Sequence, residues 1–283
     1  MQSRIFLVRT AAAAVAVVQL VLATGSGAEE FWVIMLLAWC GAVTVARADE
    51  DGAPGLSASI AGALLVAFSI LELATAPQYR AAHRLAPLAG GLGLLLFAGG
   101  AGWMRANGRA LLLLSLPMLY PPPVAVREIL DTSRATAFLG AFFLRLCGFA
   151  VDTSGTLLRM STSSLNVAGA CSGINQIFEL LSLAVLGSIV LEVGRRGAAW
   201  LAASAVAVGF VVNALRIALL AVLADRGRTD LFDLWHTGTA SLLVPVAATA
   251  VWVGLALVLA PRFKVAEPRT NAHALPACPG IHH

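Results

Sequence analysis

Charge is what this chain has least of. Only 12% of its 283 residues are Asp, Glu, Lys or Arg, about half the share found in soluble domains. Aromatic residues are also few, at 7%, whereas 59% of the chain is hydrophobic. A water-soluble fold could not bury that much apolar surface in one core, but a bilayer acts as the apolar solvent. The cysteines are limited to Cys40, Cys147, Cys171 and Cys278, and none forms a Cys-x-x-Cys pair. That argues against a zinc site or a disulfide framework. The net charge is +4, yet no basic stripe with interleaved aromatics exists, which argues against nucleic acid as a partner. No internal repeat is evident.

What is present is a series of apolar runs, with a mean hydropathy of +0.86 over the chain. A helix of about 17–25 mostly apolar residues crosses a bilayer. On that measure spans are predicted at 8–24, 31–46, 56–76, 85–104, 109–125, 172–193, 197–223 and 238–260. Small residues recur within them and allow helices to approach closely. The predicted fold class is all-α: a polytopic transmembrane bundle of about eight spans, with an outer interfacial or re-entrant segment. Residues 1–264 form the membrane domain, its catalytic part about 110–260. Residues 265–283, rich in Pro, Ala and His, read as a disordered cytoplasmic tail.

Arginine and lysine bias sets orientation. Arg4 and Arg9, Arg105 and Arg109, Arg195 and Arg196, and Arg262 and Lys264 fall on one side if the spans number eight. That side is then the cytoplasm. Glu29, Glu30, Asp225, Asp230 and Asp233 fall on the other, with Arg80 and Arg84 a mild exception. Arg47, on the inner side, is diluted by Asp49, Glu50 and Asp51. The expected location is the cytoplasmic (inner) membrane, multi-pass, among membrane lipids. The first run also fits a cleavable signal peptide ending near Ser26-Gly27-Ala28, and cleavage would leave the orientation of the rest unchanged.

Residues 121–170 differ. Pro121-Pro122-Pro123 ends the preceding helix, and Arg127, Glu128, Asp131, Arg134, Arg145, Asp152 and Arg159 follow. Phe138 to Val151 is apolar but short, and Arg145 interrupts it. This is the outer segment, placed where it could form a lid over a site.

Three polar clusters lie at the ends of the last three spans: Ala170-Cys171-Ser172-Gly173-Ile174-Asn175, Asn213-Ala214-Leu215-Arg216-Ile217 and Trp235-His236-Thr237-Gly238. The topology carries all three to the outer face. A cysteine is nucleophilic as its thiolate, and Cys171 sits where a helix begins, whose positive end favours the anion. Histidine serves as general base and then as acid for a leaving amine. Arginine can stabilise the oxyanion of a tetrahedral intermediate. Cys171, His236 and Arg216 together therefore describe thiol-based acyl transfer. A charge inside a span costs several kcal/mol unless paired or hydrated, so Arg216 reads as functional by default. Cys40 and Cys147 read as small buried hydrophobes. Cys171, Asn175 and Glu179, four apart, are expected on one helix face, and Glu179 and Arg216 at matching depth are expected to pair. Glu72 in the third span has no evident partner.

In this order the clusters resemble the exosortase/archaeosortase family, whose marks are a Cys-Ser-Gly at a helix start, an Asn-x-x-Arg in the next helix and a His before the last. Here these are Cys171-Ser172-Gly173, Asn213-Ala214-Leu215-Arg216 and His236. Where the family often has a Gly four residues after that His, this chain has Gly238 at two and Ala240 at four. The resemblance implies a polytopic cysteine transpeptidase that cleaves the sorting signal of secreted proteins, built of a short motif, a transmembrane helix and a basic cluster. Cys171 would be the nucleophile, Arg216 the oxyanion or substrate stabiliser and His236 the general acid/base. Ser172, Gly173, Asn175, Glu179 and Asn213 would support or bind substrate. No metal or organic cofactor is implied. The competing reading is a transporter or channel with an Arg/Glu polar path through Glu72, Glu179 and Arg216.

Overall fold

The structure, a computed structural model, describes residues 2–24, 29–47, 54–75, 81–119, 129–167 and 169–263. The Ser26-Gly27-Ala28 cleavage motif, the Pro121-Pro122-Pro123 stop with Arg127 and Glu128, Arg80, the acidic run at 49–51, Lys264, Cys278 and the tail lie outside the described residues.

The chain is mostly helical. Helices α1 (Gln2–Thr24), α2 (Glu29–Val45), α3 (Leu56–Thr75), α4 (Ala86–Ala106) and α5 (Gly108–Leu114) make the first half. Then come α6 (Ser133–Leu146), three short strands, α7 (Ile174–Val190), α8 (Arg195–Asp225), α9 (Thr229–His236) and α10 (Leu243–Leu259). Five stretches are long and apolar enough to cross a bilayer: Ile5–Ala23, Leu56–Thr75, Ala82–Ala106, Arg195–Asp225 and Thr239–Phe263. Val33–Val45, Gly108–Leu119 and Ile174–Val190 are apolar but shorter. The chain is thus a multi-pass membrane protein. Large apolar side chains such as Leu64, Phe68, Phe97, Trp200, Val246 and Leu257 point outward from the bundle, as lipid-facing surface does and water-facing surface does not.

Packing follows from small residues and a few buried polar ones. A Cβ on Gly62 of α3 would lie 2.5 Å from the Gly93 carbonyl oxygen of α4, and one on Gly93 would lie 2.6 Å from the Gly62 carbonyl oxygen. Only glycine permits that approach. Nearby, Gln19 of α1 is fully buried. Its Nε2 donates to Ser69 Oγ at 3.0 Å and to the Ala86 carbonyl at 2.9 Å, while its Oε1 accepts from Trp39 Nε1 at 2.9 Å. One amide thus ties α1 to α2, α3 and α4. Glu72, left without a partner by the sequence, faces His83 Nδ1 at 3.8 Å.

A run of contacts gathers one end of the bundle. Arg9 donates to the Ala46 carbonyl, Arg47 exchanges backbone bonds with the Asn107 side chain, and Arg109 pairs with Glu192 at 3.2 Å. Gly194 N–H donates to the Phe263 carbonyl. Arg105, Arg195, Arg196 and Arg262 adjoin these residues in the chain. Arg9, Arg105, Arg109, Arg195, Arg196 and Arg262, which sequence placed on one side, are therefore collected at one end, and the start of α7 lies at the other.

The outer segment departs from an all-α reading. The amphipathic α6 is there, but β1 (Asp152–Ser154), β2 (Leu157–Arg159) and β3 (Ser164–Asn166) follow as an antiparallel meander. Threonines and serines at Thr153, Ser154, Thr156 and Ser164, with a turn at Gly155 (φ 65°), favour short strands over helix. Leu158 and Val167 are fully buried against α6 and α8. Thr162 anchors the meander to the end of α8, its N–H donating to Asp225 Oδ1 at 2.8 Å. Cys40 and Cys147 also differ from expectation: both are exposed on the surface of the protein.

Replacing Gln19 by Leu removes the acceptor for Trp39 and the donor for Ser69 and Ala86. An unmet buried donor or acceptor costs about 1–3 kcal/mol. Thermal unfolding in detergent is expected at a lower temperature for Gln19→Leu, and closer to wild type for Ser69→Ala, which removes one of the three Gln19 bonds and the Ser69 hydroxyl's local bond to the Val66 carbonyl.

Candidate active site

The loop that carries Cys171 is a 3₁₀ turn, Gly169–Ser172, bracketed by Gly169 (φ 55°) and Gly173 (φ 87°). Gly173 is left-handed and caps α7, which starts at Ile174. That conformation suits glycine, and space demands it too, since a Cβ there would lie 2.6 Å from Asn213 Nδ2. The turn is held from two sides. Thr132 and Thr136, one turn apart at the start of α6, both donate hydroxyls to the Ser172 carbonyl, at 2.6 and 2.8 Å. Asn213 of α8, buried, donates Nδ2 to the Cys171 carbonyl at 3.0 Å.

The histidine arrives differently. After α8 the chain turns at Gly227 (φ 63°), and the eight-residue α9 folds back. His236 is its last residue. Arg216, one turn beyond Asn213 on α8, donates NH2 to the His236 carbonyl at 2.8 Å, a charge-assisted bond to a helix-terminal carbonyl that lacks an intrahelical partner. Phe232, one turn before His236, lies ring to ring with it at 5.2 Å. The outcome is a Cys171 Sγ to His236 Nε2 distance of 3.5 Å across 65 residues of sequence. Cys171 is half-buried against the core cluster built from Ala137, Ala141, Leu144, Leu158, Val167 and Ile217.

Two buried polar atoms here have no hydrogen-bond partner, Arg216 Nε and Asn175 Oδ1. Such atoms are rare in native interiors and call for an explanation. At the site's edge, Asp131 accepts from the Ser133 N–H at 2.9 Å. The Ser133 hydrogen bonds hold the Asp131 carboxyl below its ordinary value, with help from Arg134.

The structure therefore brings together Cys171, Asn213, Arg216 and His236. It does not put Cys171, Asn175 and Glu179 on one helix face, because the left-handed Gly173 separates Cys171 from α7; only Asn175 and Glu179 share that helix. Ser172 is buried, its Oγ accepting from the Ile174 N–H at 3.4 Å, a structural hydroxyl. The expected Glu179–Arg216 ion pair is not among those formed by the described residues. Glu179 Oε2 instead accepts from Gln176 on its own helix at 3.2 Å, and Arg216 is directed to His236. Sequence reasoning also missed Thr132, Thr136 and Phe232. The first two were visible as hydroxyls one turn apart on the otherwise apolar inner face of α6. Phe232 stands one turn before His236, a spacing that places two rings on one side of a helix.

Chemically, the arrangement offers a thiol beside an imidazole, with a guanidinium bound to the histidine's own backbone. That set suits acyl transfer through a thioester. Among the described residues no group of three or more His, Cys, Asp or Glu side chains gathers as a metal site.

The family model described as transmembrane exosortase matches residues 26–253, well over half of the chain and inclusive of every residue of this site. No curated protein and no solved structure matches the chain.

Two outcomes are expected. Gly173→Ala forces Asn213 away and frees the Cys171 carbonyl, so alkylation of Cys171 by a maleimide should change rate at least severalfold while Cys40 and Cys147 react as before; an unchanged rate would mean that Gly173 does not hold the turn. Asp131 contributes to stability above the usual carboxylate value of about 3.9, and loses that contribution as pH falls through its lowered value. The protection of amides in the first turn of α6, taken relative to the intrinsic exchange rate at each pH, should therefore fall on acidification in wild type, and should be less pH-sensitive in Asp131→Asn.

Proposed function

The chain belongs to the transmembrane exosortase family, and from that premise we propose that it is a cysteine transpeptidase that processes the C-terminal sorting signal of membrane-tethered secreted proteins. The observation that carries this reading is the 3.5 Å approach of Cys171 Sγ to His236 Nε2. The substrates are proteins ending in a short motif, a transmembrane helix and a basic cluster. The three shorter apolar helices cross the bilayer with the five long ones, giving eight passes. The arginines gathered around the Arg109–Glu192 pair then face the cytoplasm, and the site faces outward from the cytoplasmic membrane.

In the reaction, His236 takes the thiol proton and the Cys171 thiolate attacks the scissile carbonyl carbon. The carbonyl oxygen becomes an oxyanion. When the intermediate collapses, the C–N bond breaks and His236 returns the proton to the departing amine, leaving an acyl thioester on Cys171. An acceptor amine, or water, then attacks that thioester, gives its proton to His236 and restores the thiol. Arg216 has two tasks. Its NH2 holds the His236 carbonyl, and its buried, unpartnered Nε is a donor kept for the oxyanion, whose arrival meets a cost of about 1–3 kcal/mol otherwise left standing. Asn213 keeps the Cys171 backbone in place. The unpartnered Asn175 Oδ1 accepts from a substrate N–H, and Glu179 supports the same helix.

The test is co-expression with a substrate bearing such a C-terminal signal, followed by mass spectrometry. Wild type is expected to remove a C-terminal fragment, and Cys171→Ala none. His236→Ala should slow processing by about 10²–10⁴-fold, and Arg216→Gln by about 10²–10³-fold. An added mass on the new C-terminus means transfer, and a free carboxylate means hydrolysis. Normal processing by Cys171→Ala would overturn the assignment.

A further inference from the structure

Helix α6 has two faces. Ser133, Thr136, Ala137, Gly140, Ala141 and Leu144 are buried, packed on Ala214, Ile217 and the last turns of α8. On the opposite face Phe138, Phe142 and Leu146, spaced four apart, are 65%, 46% and 68% exposed. An apolar stripe of that kind is poorly placed in water. Its depth can be reckoned along α8, whose 31 residues span about 46 Å against a hydrocarbon core of about 30 Å. The part of α8 under α6, from Ala214 to Ala221, lies roughly 6–16 Å from the helix end at that rise. The stripe is therefore at the membrane interface, on the same side as Cys171.

At the end of α6 the stripe meets a polar hollow. An open pocket of about 540 Å³ is lined by Arg145, Asp152, Arg159 and Ser161, with Phe149 and Met160 forming part of its apolar wall. Arg145 is fixed at the rim, its Nε and NH2 donating to the Val151 carbonyl at 3.3 and 3.1 Å. Arg159 stands opposite Asp152 in the strand register, and the Asp152 carboxylate accepts from the Thr153 N–H. Among the described residues neither guanidinium takes part in an ion pair. Two arginines outside any ion pair, against the single carboxylate of Asp152 in the same lining, leave the hollow net basic; beside an apolar stripe at interfacial depth, that suits a group that is anionic at one end and apolar at the other. Guanidinium forks match phosphate oxygens.

We propose that Arg145 and Arg159 bind the phosphate of an anionic phospholipid in the leaflet on the active-site side, with Phe138, Phe142 and Leu146 seated among its acyl chains. Phe149 and Met160 line the pocket and pack on the same buried core that Cys171 packs on. A bound headgroup therefore braces the core that backs the catalytic turn.

The proposal is read by lipid retention on the purified full chain, independently of any processing, so its failure and that of the transpeptidase reading are distinguishable. The detergent-solubilised protein is titrated with phosphatidylglycerol or phosphatidylcholine of equal chain length and followed by native mass spectrometry. Phosphatidylglycerol is expected to be retained in preference. Arg159→Gln should weaken that retention on the order of fivefold, Arg159→Lys should restore part of it, and Phe142→Ser should weaken retention of both lipids. Arg159 is itself exposed at the end of β2, and unchanged thermal unfolding of its variants keeps the comparison one of binding. Equal retention of the two lipids, or no effect of Arg159→Gln, would overturn the site. So would displacement of the lipid by millimolar inorganic phosphate, which would mark a free-anion pocket. An unchanged lipid preference with weakened binding of an acidic peptide would assign the pocket to peptide and overturn it as well.

Discussion

Two side chains one turn apart on α8, Asn213 and Arg216, each donate a hydrogen bond to a backbone carbonyl of the segment that bears a reactive group. Asn213 holds the Cys171 carbonyl and Arg216 the His236 carbonyl. Both bonds are partly buried, where water competes weakly, so each fixes geometry more firmly than its counterpart on an exposed surface. α8 is the longest helix described and packs on α6, α7, α9 and α10. It is the rigid post on which two otherwise independent loops are hung. The thiol and the imidazole meet because their backbones are tied to the same turn of the same helix.

That arrangement explains the use of intramembrane polar residues elsewhere in the chain. The bilayer offers them no solvent, so each must find a partner inside the protein. Gln19 does so with three partners, Trp39, Ser69 and the Ala86 carbonyl, and contributes only structure. Arg216 does so in part, and its buried Nε without a partner is, with Asn175 Oδ1, a departure from the rule. The contrast between the fully satisfied Gln19 and the partly satisfied Arg216 supports the proposed reading of the first as structural and of the second as kept for a reaction.

Residues 129–167 join the site to an exposed apolar helix face. Thr132 and Thr136 at the start of α6 grip the Cys171 turn, while Phe138, Phe142 and Leu146 on its far face are exposed. The meander that follows covers the end of α8 and is pinned there by Thr162 and Asp225. Whatever the apolar face of α6 rests in is therefore mechanically close to the nucleophile, through a helix only 14 residues long.

The membrane character, the positions of the apolar helices, the gathering of Arg9, Arg109 and Arg195 at one end, and the choice of Cys171, Asn213, Arg216 and His236 were all legible in the sequence. Composition and charge bias are set by the solvent that each residue must meet, and that solvent acts on residues one at a time. The β meander at Asp152–Asn166, the partner of Arg216, the His83 contact of Glu72 and the exposure of Cys40 and Cys147 were not legible. Each depends on which surfaces meet, and helical periodicity gives a residue's face without saying what lies across from it. Cys171 is the clearest case. Spacing by fours placed it on a face with Asn175 and Glu179, but a left-handed Gly173 breaks the helix first, and the turn's orientation is decided by carbonyl bonds from α6 and α8. A sequence can place a nucleophile at a membrane surface; the distance from Cys171 to His236 exists only because non-local hydrogen bonds set it.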